Sequence, residues 1–268
     1  MPNFLIIGAP RGGTTWIAKN LMEHPDVYMP LCKEVHFFDR SYDKGMDHYA
    51  SFFAEAENKI AVGEATPEYL YVPEVASRIY KELPNAKLIV SLRNPVERLY
   101  SRYWHAKARY PENANISFED KIRQKPVMIE EGFYFDHLMR YYNLFPRTQI
   151  LVLLYDDLEK SPHDFLRSIF SFLGIDEGFM SSYLDLKINS AASKKYVGKS
   201  QFLWNLYRVL MRLRFFSVAK VIESLNRNEY PPMKVETKKW LVNEVYGEKN
   251  RLLQSLIGRD LSAWSRID

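Results

Sequence analysis

The sequence predicts an α/β fold: a P-loop-type, doubly wound parallel sheet of about four to five strands, flanked by helices, with a helical C-terminal cover. Three observations carry that expectation. Four short, almost wholly apolar runs recur along the chain, as strands buried on both faces require. Each is followed by turn residues and then a helical pattern, the alternation that βαβ crossovers produce. The first run ends in a glycine-bearing turn that leads directly into a helix.

The strand runs are Phe4–Ile7, Ile60–Gly63, Lys87–Leu92 and Gln149–Leu154. Helical patterns cover Thr14–Glu23, Pro73–Glu82, Pro95–Tyr110, Gly132–Phe145 and Pro162–Leu173. Pro95 and Pro162 fall in first turns, where a missing N–H leaves no bond unmade. Ser200–Leu225 reads as a long helix, with Leu203, Leu206, Leu210 and Leu213 at helical spacing, and Lys234–Leu256 as another. There are no repeats and no linker-like tracts. The expected organisation is one domain over 1–268, with 187–268 supplying the cover.

Composition bounds the class. The chain has 268 residues, 47% of them hydrophobic and 26% charged, which excludes disorder and gives ample core. Its single cysteine, Cys32, excludes a disulfide scaffold and a cysteine-based zinc site, and reads as a small buried hydrophobe. No apolar stretch approaches the roughly 20 residues that cross a bilayer. The run Phe4–Ile7 is too short for a signal segment. The expectation is a soluble, cytoplasmic protein.

The net charge of +4 is unevenly spread. Residues 187–268 hold 16 Lys and Arg against 7 Asp and Glu, whereas 1–186 hold 21 against 26. Within 187–226 eight basic residues face only Glu223. Such a block suggests an anionic partner. One rival reading is a polyanion- or membrane-surface-binding module built on Ser200–Leu225, with Arg208, Arg212, Arg214 and Lys220 on a basic face. No nucleic-acid-binding motif accompanies the charge.

The chemistry starts at Gly8-Ala9-Pro10-Arg11-Gly12-Gly13-Thr14-Thr15-Trp16. Backbone N–H groups of such a turn, backed by a helix dipole, point at an anion. The spacing nearly matches G-x-x-x-x-G-K-[ST], but Thr14 stands where the lysine belongs. That loss argues against the other rival, a P-loop nucleotide kinase. Arg11 can place a cation beside the bound phosphate instead.

Arg11-Gly12-Gly13-Thr14-Thr15-Trp16 resembles the 5′-phosphosulfate loop of the sulfotransferases that use 3′-phosphoadenosine 5′-phosphosulfate (PAPS). The resemblance implies that Arg11, Gly12, Gly13, Thr14 and Thr15 wrap the 5′-phosphate and that Trp16 lies by the adenine. Lys33-Glu34-Val35-His36-Phe37-Phe38-Asp39 is similar to a segment of the heparan sulfate sulfotransferases. It implies Glu34 as the general base, since an attacking hydroxyl or amine must lose a proton. His36 is the rival base, by likeness to cytosolic members, and Lys33 contacts the sulfonate or orients Glu34.

Lys87 to Ser101 is similar to the family's 3′-phosphate motif, in which a strand ends in an arginine and a serine follows eight residues later; Arg93 and Ser101 stand at that spacing. Arg98 and Arg102 share the helix and read as solvated or ion-paired. Asn189-Ser190-Ala191-Ala192-Ser193-Lys194-Lys195 looks like the loop that closes over the nucleotide in bacterial relatives, with Lys194 or Lys195 reaching the 3′-phosphate. Gly258 to Trp264 resembles their usual C-terminus and reads as packing.

The resemblance therefore implies in-line sulfuryl transfer from PAPS, as co-substrate, to a hydroxyl or amine of a small-molecule, glycan or lipid acceptor. The scheme requires no metal. Two departures stand out. Arg11 replaces the family's loop lysine, and Ala65, in Gly63-Glu64-Ala65-Thr66-Pro67, replaces a lysine near the substrate. Candidate acceptor lining comes from Phe37, Phe38, Tyr69, Tyr71, Trp104 and Tyr134.

Overall fold

The computed structural model describes residues 1–32, 34–109, 115–184, 196–198 and 227–267, with Leu203, Leu206, Tyr207, Val209, Leu210, Val218, Val221 and Ile222 between the last two stretches. Five parallel strands form one sheet: β1 (Phe4–Gly8), β2 (Val27–Tyr28), β3 (Ala61–Ala65), β4 (Lys87–Leu92) and β5 (Ile150–Leu154). Their order is β2-β3-β1-β4-β5. The chain first winds from β1 toward β2 and β3, then crosses to β4 and β5. The carboxyl ends of β1 and β4 therefore flank the switch point where ligands of such sheets bind.

Both faces of the sheet are covered, as the apolar runs predict. Leu5 and Ile7 of β1 point to one side, with Leu88, Val90 and Leu92 of β4. There they meet α4 (Val75–Glu82) and α8 (Tyr134–Tyr142) through Ile79, Leu138 and Tyr141. Phe4 and Ile6 point to the other side, against Ile17 and Leu21 of α1 (Thr14–Glu23) and Phe165 and Ile169 of α10 (Pro162–Leu173). These seven side chains of β1 and β4 follow the period of two that sets strand faces.

A third core lies outside the sheet. It joins α5 (Pro95–Arg109), α6 (Phe118–Gln124) and α7 (Val127–Glu130) to Tyr230, Leu241, Val242 and Tyr246. The C-terminal cover comprises α11 (Val235–Trp240), a π-helical turn at Leu241–Val245, and α12 (Gly247–Ile257). The expected single helix over Lys234–Leu256 is thus interrupted. The π turn buries Leu241 and Val242 together, which one continuous α-helical stripe does not place side by side against the third core.

Helix ends follow the local chemistry. Asn94 caps α5, its Oδ1 accepting the Val96 N–H at 3.0 Å ahead of Pro95 in the first turn. Ser161 caps α10, which closes on Gly174 at φ 77°. Several short elements carry no clear sequence signal: β2, α2 (Phe37–Arg40), α3 (Gly45–Ser51), α9 (Tyr155–Lys160), and the antiparallel pair β6 (Tyr196–Gly198) and β7 (Arg227–Glu229). Of the expected helix over Ser200–Leu225, the described residues are helical, and the rest lies outside the described residues.

Candidate active site

The loop after β1 is held by β4. The Ser91 carbonyl accepts the Ala9 N–H at 2.9 Å, and the Ser91 hydroxyl donates to the Gly12 carbonyl at 2.6 Å. This close approach explains Gly12, where a Cβ would stand 2.2 Å from the Ser91 carbonyl oxygen. Gly13 takes φ 89° at the N-cap of α1, and a Cβ there would press on Leu158 and Tyr155. Thr14 is buried in the first turn and Thr15 faces outward. The positive end of the α1 dipole thus opens at the switch point.

Arg11 and the motif expected to hold the 3′-phosphate meet here. Arg11 has φ 69°, and its Nε donates to the Ser101 Oγ at 3.1 Å across the crevice. Ser101 is 3% exposed, on the first turns of α5. Arg93, just past β4, lays its guanidinium over the Tyr155 ring at 5.0 Å. Its Nη1 is buried with no hydrogen-bond partner among the described residues. Burial, and then the charge of Arg93, lowers the Arg11 pKa. Two guanidinium groups so close, one with a buried donor unmatched, fit an anion between them.

Trp16 packs edge-on against Phe165 at 6.2 Å between ring centres, and its Nε1 is buried without a partner among the described residues. A flat ring with one unmatched donor fits a heterocycle that offers acceptor nitrogens.

The Glu34 segment joins β2 to α2. The Glu34 side chain is 39% exposed, with its Oε2 3.7 Å from the His36 Nε2. The other ring nitrogen of His36 lies 2.9 Å from the Asp39 Oδ2. His36 therefore lies between two carboxylates, with φ 53°. The two candidate bases thus stand side by side, with the exposed Glu34 carboxylate outermost and Asp39 innermost.

Glu64 supports this segment from below and does not face the site. It is fully buried and accepts from Thr66, Tyr49 and Tyr69 hydroxyls at 2.5, 3.0 and 2.9 Å, and from the Val35 N–H at 3.3 Å. Those hydroxyls in turn accept backbone N–H groups: His36 to Thr66 at 3.3 Å, Phe37 to Tyr69 at 2.9 Å. Burial raises the Glu64 pKa although every one of these bonds pulls the other way.

Two carboxylates escaped the sequence reading. Glu68 sits on the 3₁₀ turn after Pro67; ligand atoms of Glu34, His36 and Glu68 all lie within 4.8 Å of one another. Its Oε2 is buried with no hydrogen-bond partner among the described residues. Such a set has the donor types of a cation site, whereas the sequence offered no ligand cluster. The signal available was the Thr66-Pro67 turn, which brings the next residue back over the Glu34 segment. Glu131 is 4% exposed and holds both Arg98, at 3.0 Å, and Arg102, at 2.9 Å. Those two arginines are thus ion-paired, and Arg98 is wholly buried.

Two other expectations change. Phe37, Phe38, Tyr69 and Tyr134 are at most 1% exposed and belong to the core, so among the candidate lining only Tyr71 and Trp104 reach the surface. Cys32 is exposed, because it lies in the turn that carries Glu34 and its carbonyl accepts the Glu34 N–H at 2.6 Å. Lys33, Lys194 and Lys195 lie outside the described residues.

Comparison with known proteins follows the same lines. A family model described as a sulfotransferase domain matches residues 1–226. The chain is 38% identical over 138 residues to the membrane-associated sulfotransferase kil1 of Dictyostelium discoideum, covering 48% of this chain and 29% of that protein. It is 32% identical over 182 residues to the human heparan sulfate glucosamine 3-O-sulfotransferase 3B1, covering 65% of this chain and 46% of that one. It superimposes on the crystal structure of a sulfotransferase from Alicyclobacillus acidocaldarius with a TM-score of 0.75 and 27% identity over 99% of both chains. The chain spans less than half the length of the two curated relatives. No helix among the described residues is long and apolar enough to cross a membrane.

Proposed function

The chain belongs to the sulfotransferase domain family, and from that premise we propose that it transfers a sulfuryl group from PAPS to a hydroxyl or amine of its acceptor. The observation that carries this reading is the meeting of Arg11, Arg93 and Ser101 at the β1–β4 switch point, with the Arg93 Nη1 buried and unmatched among the described residues. When bound, PAPS supplies the sulfuryl group and a 5′-phosphate as leaving group.

The chain's own residues then divide the work. Arg93 and Ser101 hold the 3′-phosphate, Arg93 as a fork and Ser101 as a hydroxyl donor. Arg11 and the amides from Gly12 to Thr15 hold the 5′-phosphate and match the charge that grows there as the sulfur–oxygen bond breaks. Trp16 carries the adenine. Glu34 takes the acceptor's proton as the acceptor atom bonds to sulfur, and Asp39 through His36 fixes its carboxylate. No step calls on a metal, and a cation on Glu34 would occupy the lone pair that the proton needs.

Glycan acceptors are the class named for the human relative. For this chain, a glycan with hydroxyl or amine donors fits better than a polyanion. Ala65 is fully buried where the family resemblance has a lysine, and Glu68 adds a carboxylate beside Glu34. A thermal-shift comparison of adenosine 3′,5′-bisphosphate with ADP tests the donor class. Stabilisation by the bisphosphate alone is the expected result, and equal stabilisation by ADP would return the reading to a general nucleotide binder. Transfer of labelled sulfate onto a panel of neutral, amino and acidic glycans then tests the acceptor.

A further inference from the structure

We propose that Trp264, three residues before the last described position, is a positioning residue that sets Arg93 for 3′-phosphate recognition. The proposal rests on the reading of Arg93 given above. Trp264 is 2% exposed and touches the supports of Arg93 on two sides.

On the backbone side, the Trp264 ring packs edge-on against Tyr134 at 6.3 Å, and the Tyr134 hydroxyl donates to the Arg93 carbonyl at 3.0 Å. The Trp264 carbonyl also accepts from the Asn94 Nδ2 at 3.5 Å, while Asn94 caps the helix that carries Ser101. On the side-chain side, the Trp264 Nε1 donates to the Asp156 Oδ2 at 2.8 Å. Asp156 follows Tyr155, the ring on which the Arg93 guanidinium lies.

The C-terminal turn thus ties the start of α9 to the end of β4, two pieces between which Arg93 is suspended. A second tie fixes the same turn to α9: the Arg259 Nη2 donates to both Asp157 oxygens at 2.9 and 2.8 Å. A guanidinium that reads phosphate by geometry loses selectivity when either anchor shifts. The C-terminal turn is therefore more than packing. It holds the distance between the Arg93 carbonyl and the Tyr155 ring.

Isothermal titration of adenosine 3′,5′-bisphosphate and 5′-AMP against the full chain tests this. Trp264→Phe keeps a ring against Tyr134 and removes the N–H to Asp156. We expect the preference for the bisphosphate to fall about tenfold, with 5′-AMP affinity nearly unchanged. Asp156→Ala breaks the same bond from the other side, gives the same shift, and serves if Trp264→Phe does not fold. On an Arg93→Ala background, Trp264→Phe should change nothing further. Equal weakening of both nucleotides, an unchanged preference, or additive losses with Arg93→Ala would overturn the proposal. A native chain with no preference for the bisphosphate would instead overturn the assignment of Arg93, and this proposal with it.

Discussion

The Nε of Arg11 donates to the Oγ of Ser101 across 3.1 Å, joining the glycine loop after β1 to the helix after β4. The two residues come from motifs expected at opposite ends of one nucleotide, and two guanidinium groups, Arg11 and Arg93, act on each other there. Arg93 lies nearby over the Tyr155 ring. If Arg93 serves the 3′-phosphate, Arg93→Ala should weaken adenosine 3′,5′-bisphosphate about 100-fold, the value of a lost charge-assisted fork. Binding of 5′-AMP should stay within about threefold, because the loop amides and Arg11 remain. Calorimetric titration of both nucleotides checks this, and equal losses would remove the 3′ assignment.

Glu34 is the exposed end of the chain Asp39–His36–Glu34. Glu34→Gln keeps the shape and removes the basic lone pair. Turnover of labelled sulfate should fall about 10²- to 10⁴-fold while bisphosphate affinity is unchanged. His36→Ala should cost less, about tenfold, since it orients the carboxylate and does not replace it. Chelation with EDTA should leave the rate unchanged or raise it, because a cation held by Glu34, His36 and Glu68 competes with the proton. Near-normal turnover of Glu34→Gln would move the base to another group.

Much of this was legible in the residues themselves. The apolar run Phe4–Ile7 and the Gly12-Gly13 pair each follow from a local rule, and local rules survive folding, whereas the Arg93–Ser101 pair rests on a family resemblance. β2 was not legible because two residues, Val27 and Tyr28, make too short a run to show a period. The break at Leu241–Val245 was hidden because a π turn keeps helical composition. Glu68 and Glu131 were missed for a different reason. Nothing in their own neighbourhood marks them, and only the turn at Pro67 and the packing of α7 on α5 bring them to Glu34 and Arg102. Aromatic residues misled in the opposite direction: Tyr69 and Tyr134 look like pocket walls, yet both are buried and spend their hydroxyls on Glu64 and the Arg93 carbonyl.

Glu64 gives a prediction that separates support from chemistry. Three hydroxyls and one amide donate to its two oxygens in a fully buried place. Glu64→Gln turns one oxygen into a donor facing donors, and stability should drop by about 1–3 kcal/mol. Thermal melting reads that loss. Turnover should fall as well, because the Val35 and His36 amides that aim Glu34 lose their anchor. Nucleotide affinity should be spared, since the loop after β1 is fixed by Ser91 and not by Glu64. A melting temperature equal to that of the native chain would show that the network relaxes around the amide.

His137 sets an acid limit on the fold. It is 7% exposed, its Nε2 donates to the Glu130 carbonyl at 2.9 Å, and its Nδ1 accepts from the Arg140 guanidinium at 3.0 Å. A nitrogen that accepts from a cation has no room for a second proton. Burial, and then the Arg140 charge, pushes its pKa down to about 4 from an ordinary 6.5. The folded chain therefore binds this proton more weakly than the unfolded chain does. Its contribution is complete above pH 6.5 and is lost as pH falls toward 4, amounting to about 3 kcal/mol by the acid end of that window. His137→Gln cannot take up the proton, so its stability should fall less over the same range even though its value at neutral pH is lower. Urea unfolding at several pH values from 7 down to 4 measures both slopes. Parallel slopes would mean that His137 is not the group whose protonation opposes folding.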